Sequence, residues 1–122
     1  MRKARAKPKV VLCVGSEPVR LNRRGSWLRK HGWEVLSSGN IHDGLQQFAK
    51  QAIHLVVLDV NGETPDAALS TAGFKQLRPE IPVIVLIDGN ASGGDLSWGD
   101  AVVKCDDVHA LLEAIQRLTG KA

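Results

Sequence analysis

The stretch IHLVVLDV, residues 53–60, is almost entirely aliphatic and carries an acidic residue, Asp59, near its carboxyl end. An apolar run of this length without polar alternation is typical of a strand that is buried on both faces of a parallel sheet. A second run, IPVIVLI at residues 81–87, has the same character. A helix-length segment separates the two runs, so the sequence predicts a β–α–β unit here.

Strand and helix signals alternate along the rest of the chain. Further strands are predicted at residues 9–14, 33–37 and 101–104, and helices at 18–31, 41–51, 64–77 and from Asp107 to Gly120. The segment 88–100 is rich in glycine and has no helical period, so we expect any helix there to be shortened or irregular. Five β–α alternations predict an α/β fold with a doubly wound, five-stranded parallel sheet.

Composition bounds the function further. The 122 residues are 43% hydrophobic and 24% charged, as in an ordinary single globular domain. We expect a basic arm over residues 1–8 before a domain over 9–120, with no secretory signal and no membrane span. Two cysteines without metal or disulfide spacing predict a reducing, cytoplasmic location.

Charge is distributed unevenly. Residues 1–30 contain ten Lys/Arg and one acid, whereas residues 31–122 contain six Lys/Arg and twelve acids. A basic cluster of this kind is compatible with contact to nucleic acid, although a solvated surface is the commoner meaning.

Ligands of open parallel sheets bind at the carboxyl ends of the strands. The residues at those ends include Gly15, Ser16, Asp59 and Lys104. We expect Asp59 and Lys104 to form an ion pair, and we expect Ser16 to cap the helix that follows the first strand.

Four stretches together resemble the receiver domain of bacterial two-component response regulators. They are VGSEP (14–18), HLVVLDVN (54–61), IPVIVLI (81–87) and AVVKC (101–105), and the resemblance extends over residues 9–120. It implies a flavodoxin-like strand order and a role in two-component or phosphorelay signalling. In that family a histidine kinase transfers a phosphoryl group to one aspartate, with Mg²⁺ held by acidic residues and with a lysine and a hydroxyl on the phosphoryl oxygens.

Under this resemblance, Asp59 corresponds to the phospho-acceptor, Lys104 to the lysine, and Asn61 to the residue that lends a carbonyl to the metal. Several positions depart from the family pattern: Gly15 and Ser16 replace the acidic pair, Ile87 replaces the hydroxyl residue, Ala101 replaces an aromatic residue, and Cys105 replaces a proline. Only Asp59 and Glu17 then remain as weak metal ligands, so we expect little or no Mg²⁺ binding.

The leading hypothesis is therefore a non-enzymatic, atypical receiver module without a cofactor. It would act through contact with a kinase or a downstream signalling protein, with Trp98, Val102 and Leu111 as a candidate partner surface and a homodimer left open. One alternative is a working phospho-acceptor at Asp59 with an unusual site. Another is a nucleic-acid-associating protein that uses the basic residues between 2 and 30.

Overall fold

The computed structural model describes residues 9–59, 64–87 and 99–120. The strands are β1 (Val10–Val14), β2 (Glu34–Ser38), β3 (Leu55–Asp59), β4 (Val83–Ile87) and β5 (Ala101–Lys104), and the helices are α1 (Pro18–Lys30), α2 (Ile41–Lys50), α3 (Thr64–Leu77) and α4 (Val108–Thr119). All strand pairs are parallel, and the sheet order is β2-β1-β3-β4-β5. The predicted doubly wound sheet is confirmed, with element ends that differ from the expected ones by one or two residues.

Alternation along the buried strands divides the core into two layers, one on each face of the sheet. Val11 and Cys13 of β1 pack with side chains of α1 and α4, such as Leu28 and Ile115. The alternate strand residues, such as Leu12 and Val14, pack with Phe48 of α2 and Phe74 of α3. Because successive side chains of a strand point to opposite faces, an uninterrupted apolar strand supplies both layers at once.

The first helix begins differently from the prediction. Glu17, not Ser16, is its N-cap, and the Glu17 carboxylate accepts a hydrogen bond from the Val19 backbone N–H at 2.8 Å. Pro18 takes the first helical position, where its missing N–H costs nothing. The predicted ends of the last helix are confirmed, because Asp107 accepts from the Ala110 N–H and Gly120 closes the helix at a φ of 72°.

The entry to β5 is fixed by Asp100. Its Oδ2 accepts hydrogen bonds from the Val83 N–H at 2.7 Å and from Lys75 Nζ at 2.9 Å. The Asp100 backbone N–H donates to the Val83 carbonyl at 2.8 Å. Gly99 precedes it at a φ of 121°, and a Cβ there would lie 2.9 Å from that carbonyl, so glycine is required. The expected irregular helix falls on residues 88–98, which lie outside the described part of the chain.

Candidate functional site

Asp59 is the last residue of β3 and lies at the carboxyl edge of the sheet, where the sequence predicts a site. Its side chain is only 4% exposed. Gly15 follows the adjacent strand β1, and its N–H donates to the Ser38 carbonyl at 3.0 Å. A Cβ built at Gly15 would lie 3.3 Å from the Asp59 Cβ, so the two residues are close neighbours. Gly15 brings no carboxylate to this edge.

Two arginines of α1 hold the Asp59 carboxylate. The Arg20 Nη2 lies 2.8 Å from both Oδ1 and Oδ2, and the Arg24 Nη1 lies 3.3 Å from Oδ2. Residues four apart on a helix face the same side, so both guanidinium groups reach the same strand end. Hydrogen bonds between ionised partners are stronger than neutral ones. We call Arg20, Arg24 and Asp59 together the arginine clamp.

The expected ion pair between Asp59 and Lys104 is wrong: within the described ranges, Asp59 pairs with Arg20 and Arg24 instead. The physical reason is position. Lys104 ends β5, which is separated from β3 by β4 and therefore by about 10 Å of sheet, and the Lys104 residue is exposed. The arginines project from a helix that packs over the adjacent strand.

Arginines on a surface helix are mostly exposed, but two arginines of α1, Arg20 and Arg24, turn inward. The Arg24 side chain is 9% exposed and that of Arg20 is 30% exposed. A signal was present in the sequence, since two arginines one turn apart follow a strand end, Gly15-Ser16, that carries no acidic residue. The hydrophobic pattern of α1 did not reveal that these two arginines turn inward.

The donors at this edge do not suit Mg²⁺, the ion that the resemblance implies. Magnesium takes oxygen ligands in octahedral geometry, and both Asp59 oxygens already accept from guanidinium groups. Glu17 uses its carboxylate to cap α1. Over residues 9–59, 64–87 and 99–120, no group of three His, Cys, Asp or Glu side chains could hold a metal ion. Asn61 lies outside the described residues.

The remaining candidate positions that the structure describes lie on β4, on β5, on α4 or in the β5–α4 connection. Ile87 is 7% exposed and belongs to the core, and its carbonyl accepts from the Cys105 N–H at 2.8 Å. Ala101 is half-buried, like Cys105, whose thiol is free. The partner surface needs correction, because Leu111 is 6% exposed and packs in the core. Val102 is half-buried, and Trp98 lies outside the described residues.

A cavity of about 460 Å³ lies between α1 and the β5–α4 connection. It is lined by Arg20, Arg23, Arg24, Trp27, Cys105, Asp106, Asp107, Val108 and Leu111. We call it the α1–α4 cavity. Two members of the arginine clamp therefore also form part of its wall, as do Cys105 and Leu111, which the sequence analysis names for other reasons.

Cys13 lies in the core beneath α1. Burial raises the pKa of its thiol from 9.0 to about 12, and the positive charges of Arg24 and Arg29 oppose that rise. Cys13 is buried and its thiol is free. A thiol with this pKa stays protonated and unreactive at neutral pH.

Comparison with known proteins adds a curated relative but no family model, since none matches the chain. The chain is 30% identical, over an alignment 132 positions long, to the probable transcriptional regulatory protein TcrX from Mycobacterium tuberculosis. That alignment covers 98% of this chain and 55% of the relative, so the chain spans about half the length of TcrX.

Solved structures of receiver domains superpose closely. A CheY-like response regulator receiver domain from Methanospirillum hungatei has a TM-score of 0.79 at 24% identity, covering 94% of this chain and 97% of that one. Response regulator TrrA from Thermotoga maritima, in complex with Mg²⁺-BeF, has a TM-score of 0.78 at 24% identity, covering 90% and 98%. A complex of histidine kinase ThkA with TrrA matches with a TM-score of 0.77 at 23% identity, covering 90% and 97%. None of the described helices is long and apolar enough to cross a membrane. The strand order, the site at the edge of the sheet and these superpositions together show that the chain has the fold of response-regulator receiver domains.

Proposed function

We propose that this protein is a receiver-type signalling module, without enzymatic activity or a cofactor, that acts through contact with a protein partner. The observation that carries the proposal is the arginine clamp. It occupies the carboxylate that would have to accept a phosphoryl group, at an edge of the sheet that has lost its acidic pair. Asp59 then has a structural role.

The clamp opposes phosphoryl transfer to Asp59 directly. A nucleophilic oxygen needs an open path to the phosphorus, and the Arg20 guanidinium lies 2.8 Å from both carboxylate oxygens. A hydrogen bond to a charged group contributes about 1.5–3 kcal/mol, and that contribution would have to be given up before attack. The side chain is also almost inaccessible, at 4% exposed.

The clamp opposes magnesium binding as well. Asp59 supplies one negative charge, and Arg20 and Arg24 supply two positive charges within 3.3 Å of it. A divalent cation approaching the carboxylate would meet like charge at close range in a poorly solvated site. Gly15 and Ser16 offer no compensating carboxylates.

A protein partner is supported by the relatives. Response regulator TrrA superposes on this chain and is found in complex with histidine kinase ThkA. For the present chain, we propose that the partner is a kinase or a downstream signalling protein that reads the receiver fold without a phosphoryl group on Asp59.

Incubation with acetyl phosphate and Mg²⁺, followed by intact mass measurement, tests the proposal. We expect no phosphorylated species in the wild-type protein, while a receiver domain with an intact acidic pair is modified in the same mixture. A gain of one phosphoryl group that is lost in Asp59→Asn would overturn the proposal and favour the working phospho-acceptor.

A matched variant separates the two causes of inactivity. Arg20→Ala/Arg24→Ala opens the carboxylate but leaves Gly15 and Ser16 in place. If the clamp alone blocks the reaction, this variant gains a phosphoryl group. If the missing acids also block it, the variant remains unmodified, which we expect because no metal site is restored.

A further inference from the structure

We propose that the α1–α4 cavity binds a small zwitterion with an apolar body, such as an α-amino acid with an aromatic side chain. The cavity adjoins the arginine clamp and shares Arg20 and Arg24 with it. The two groups proposed below to bind the ligand, Arg23 and Asp106, lie outside the clamp, so the proposal does not depend on whether Asp59 accepts a phosphoryl group.

The size and floor of the cavity suit a small amphipathic molecule. Its volume of about 460 Å³ falls within the roughly 300–1,000 Å³ of small-molecule sites. Trp27, Val108 and Leu111 supply apolar lining. The Trp27 ring contacts the His31 ring at a centroid distance of 4.3 Å, and this contact helps to orient the indole. A flat apolar group can therefore pack against a preformed aromatic wall.

The charges in the wall are separated by element. All of the cations come from α1, at Arg20, Arg23 and Arg24, and both acids come from the β5–α4 connection, at Asp106 and Asp107. A ligand with only a negative charge would face two carboxylates, and a ligand with only a positive charge would face three guanidinium groups. Charge complementarity thus favours a molecule that carries one charge of each sign.

Arg23 and Asp106 are the two charged residues of the lining that are placed to receive a ligand, because the other three already have partners. Arg20 and Arg24 belong to the arginine clamp, and Asp107 accepts from the Ala110 N–H as the cap of α4. Arg23 and Asp106 are both exposed, and within the described residues neither forms an ion pair. Arg23 would bind the anionic group of the ligand and Asp106 its ammonium group.

Four probes of one shape test the proposal: L-phenylalanine, hydrocinnamate, phenethylamine and phenethyl alcohol. They carry both charges, the negative charge, the positive charge and neither charge. Titrations are followed by the Trp27 indole N–H and the backbone amides of residues 105–107 in proton–nitrogen correlation NMR spectra, with Trp27→Phe to assign the indole signal. We expect L-phenylalanine to bind about tenfold more tightly than each of the others, which corresponds to about 1.4 kcal/mol.

Two charge-removing variants identify the contacts. Arg23→Gln should abolish the preference for L-phenylalanine over phenethylamine, and Asp106→Asn should abolish its preference over hydrocinnamate. Arg29→Gln on α1 and Glu113→Gln on α4 remove exposed charges outside the cavity lining and should leave both preferences unchanged. Equal binding of all four probes would overturn the proposal, as would L-phenylalanine shifts that avoid the cavity residues.

Discussion

At the scale of the residue, Asp59 shows how a buried carboxylate at a strand end can be paired within its own chain. Guanidinium groups from α1 approach it at 2.8 and 3.3 Å, while the backbone at Gly15 lies against its Cβ side. The two ion pairs offset the free-energy cost of removing the Asp59 carboxylate from water, which is large for a carboxylate without a partner. We therefore expect the clamp to stabilise the fold, in addition to the proposed effect on phosphoryl transfer.

Removing both arginines should destabilise the protein strongly. Arg20→Ala/Arg24→Ala leaves a buried carboxylate without these partners, and we expect a loss of about 3–5 kcal/mol in the free energy of unfolding. Urea unfolding followed by circular dichroism measures it. Adding Asp59→Asn to the double variant should recover part of the loss, because the buried charge is then gone.

The control for this experiment is Arg23→Ala/Arg29→Ala, which removes two exposed arginines from the same helix. We expect that control to stay within about 0.5 kcal/mol of the wild type. A clamp variant as stable as this control would show that the ion pairs contribute nothing.

Cys13 and Cys105 should differ sharply in reactivity. With a pKa of about 12, Cys13 is protonated and buried, whereas Cys105 is half-buried. Iodoacetamide at about pH 8 should modify only Cys105 in the native protein and both cysteines in denaturant, as counted by intact mass. Modification of Cys105→Ala in native buffer would contradict this expectation.

The same thiol gives a pH dependence of stability. Its folded-state pKa lies above the ordinary value of 9.0, so its contribution to stability is complete below pH 9 and is lost as the pH rises toward 12. Urea unfolding across this interval should show a steeper loss of stability in the wild type than in Cys13→Ala. Equal slopes would contradict the assignment.

At the scale of the element, hydrophobic periodicity predicted every strand and helix that the structure describes. The uninterrupted apolar runs predicted β3 and β4 as buried strands, and the capping residues Asp107 and Gly120 predicted the two ends of α4. The clamp could not be predicted in the same way, because the pattern of α1 treats arginine as a surface residue. Whether a long polar side chain turns toward a buried partner depends on which strand end lies beneath it. Tertiary placement decides this, not local propensity.

Asp100 is the clearest test at this scale, since it joins α3, β4 and β5 through one carboxylate. Asp100→Ala removes the acceptor of the buried Val83 N–H, and we expect a loss of about 1–3 kcal/mol in the free energy of unfolding. Lys75→Met removes a partly exposed ion pair together with the hydrogen bond from Lys75 Nζ to the Ile81 carbonyl at 3.1 Å, and it should still cost less than Asp100→Ala, about 1 kcal/mol. Thermal unfolding of the two variants measures both losses of stability. Equal losses would mean that the Lys75–Asp100 ion pair, and not the hydrogen bond from the Val83 N–H, fixes the start of β5.

At the scale of the whole molecule, the uneven charge distribution has a structural counterpart in α1. Part of its positive charge is neutralised internally by Asp59, and the exposed remainder includes Arg23, Arg29 and Lys30. The basic arm over residues 1–8 lies outside the described residues. The nucleic-acid hypothesis therefore depends on fewer groups of α1 than the sequence alone indicates.

We expect a short DNA duplex to bind weakly and without sequence preference. At physiological salt, fluorescence anisotropy should give a dissociation constant in the non-specific range of about 10⁻⁴–10⁻⁶ M, or weaker binding. The affinity should fall steeply as salt is added. Replacing the Lys and Arg residues between 2 and 9 with Gln should weaken it further. A tight, salt-insensitive complex with one sequence would contradict this prediction.

The clamp also has an evolutionary consequence. An aspartate introduced at Gly15 alone would crowd the Asp59 Cβ at about 3.3 Å and present a second carboxylate to the same two guanidinium groups. It would join the existing ion pairs before it could hold a metal. Loss of Arg20 and Arg24 alone would leave Asp59 destabilised. Each single substitution toward a metal-binding site would thus bring no gain or would destabilise the protein, and we expect strong epistasis between positions 15, 16, 20 and 24.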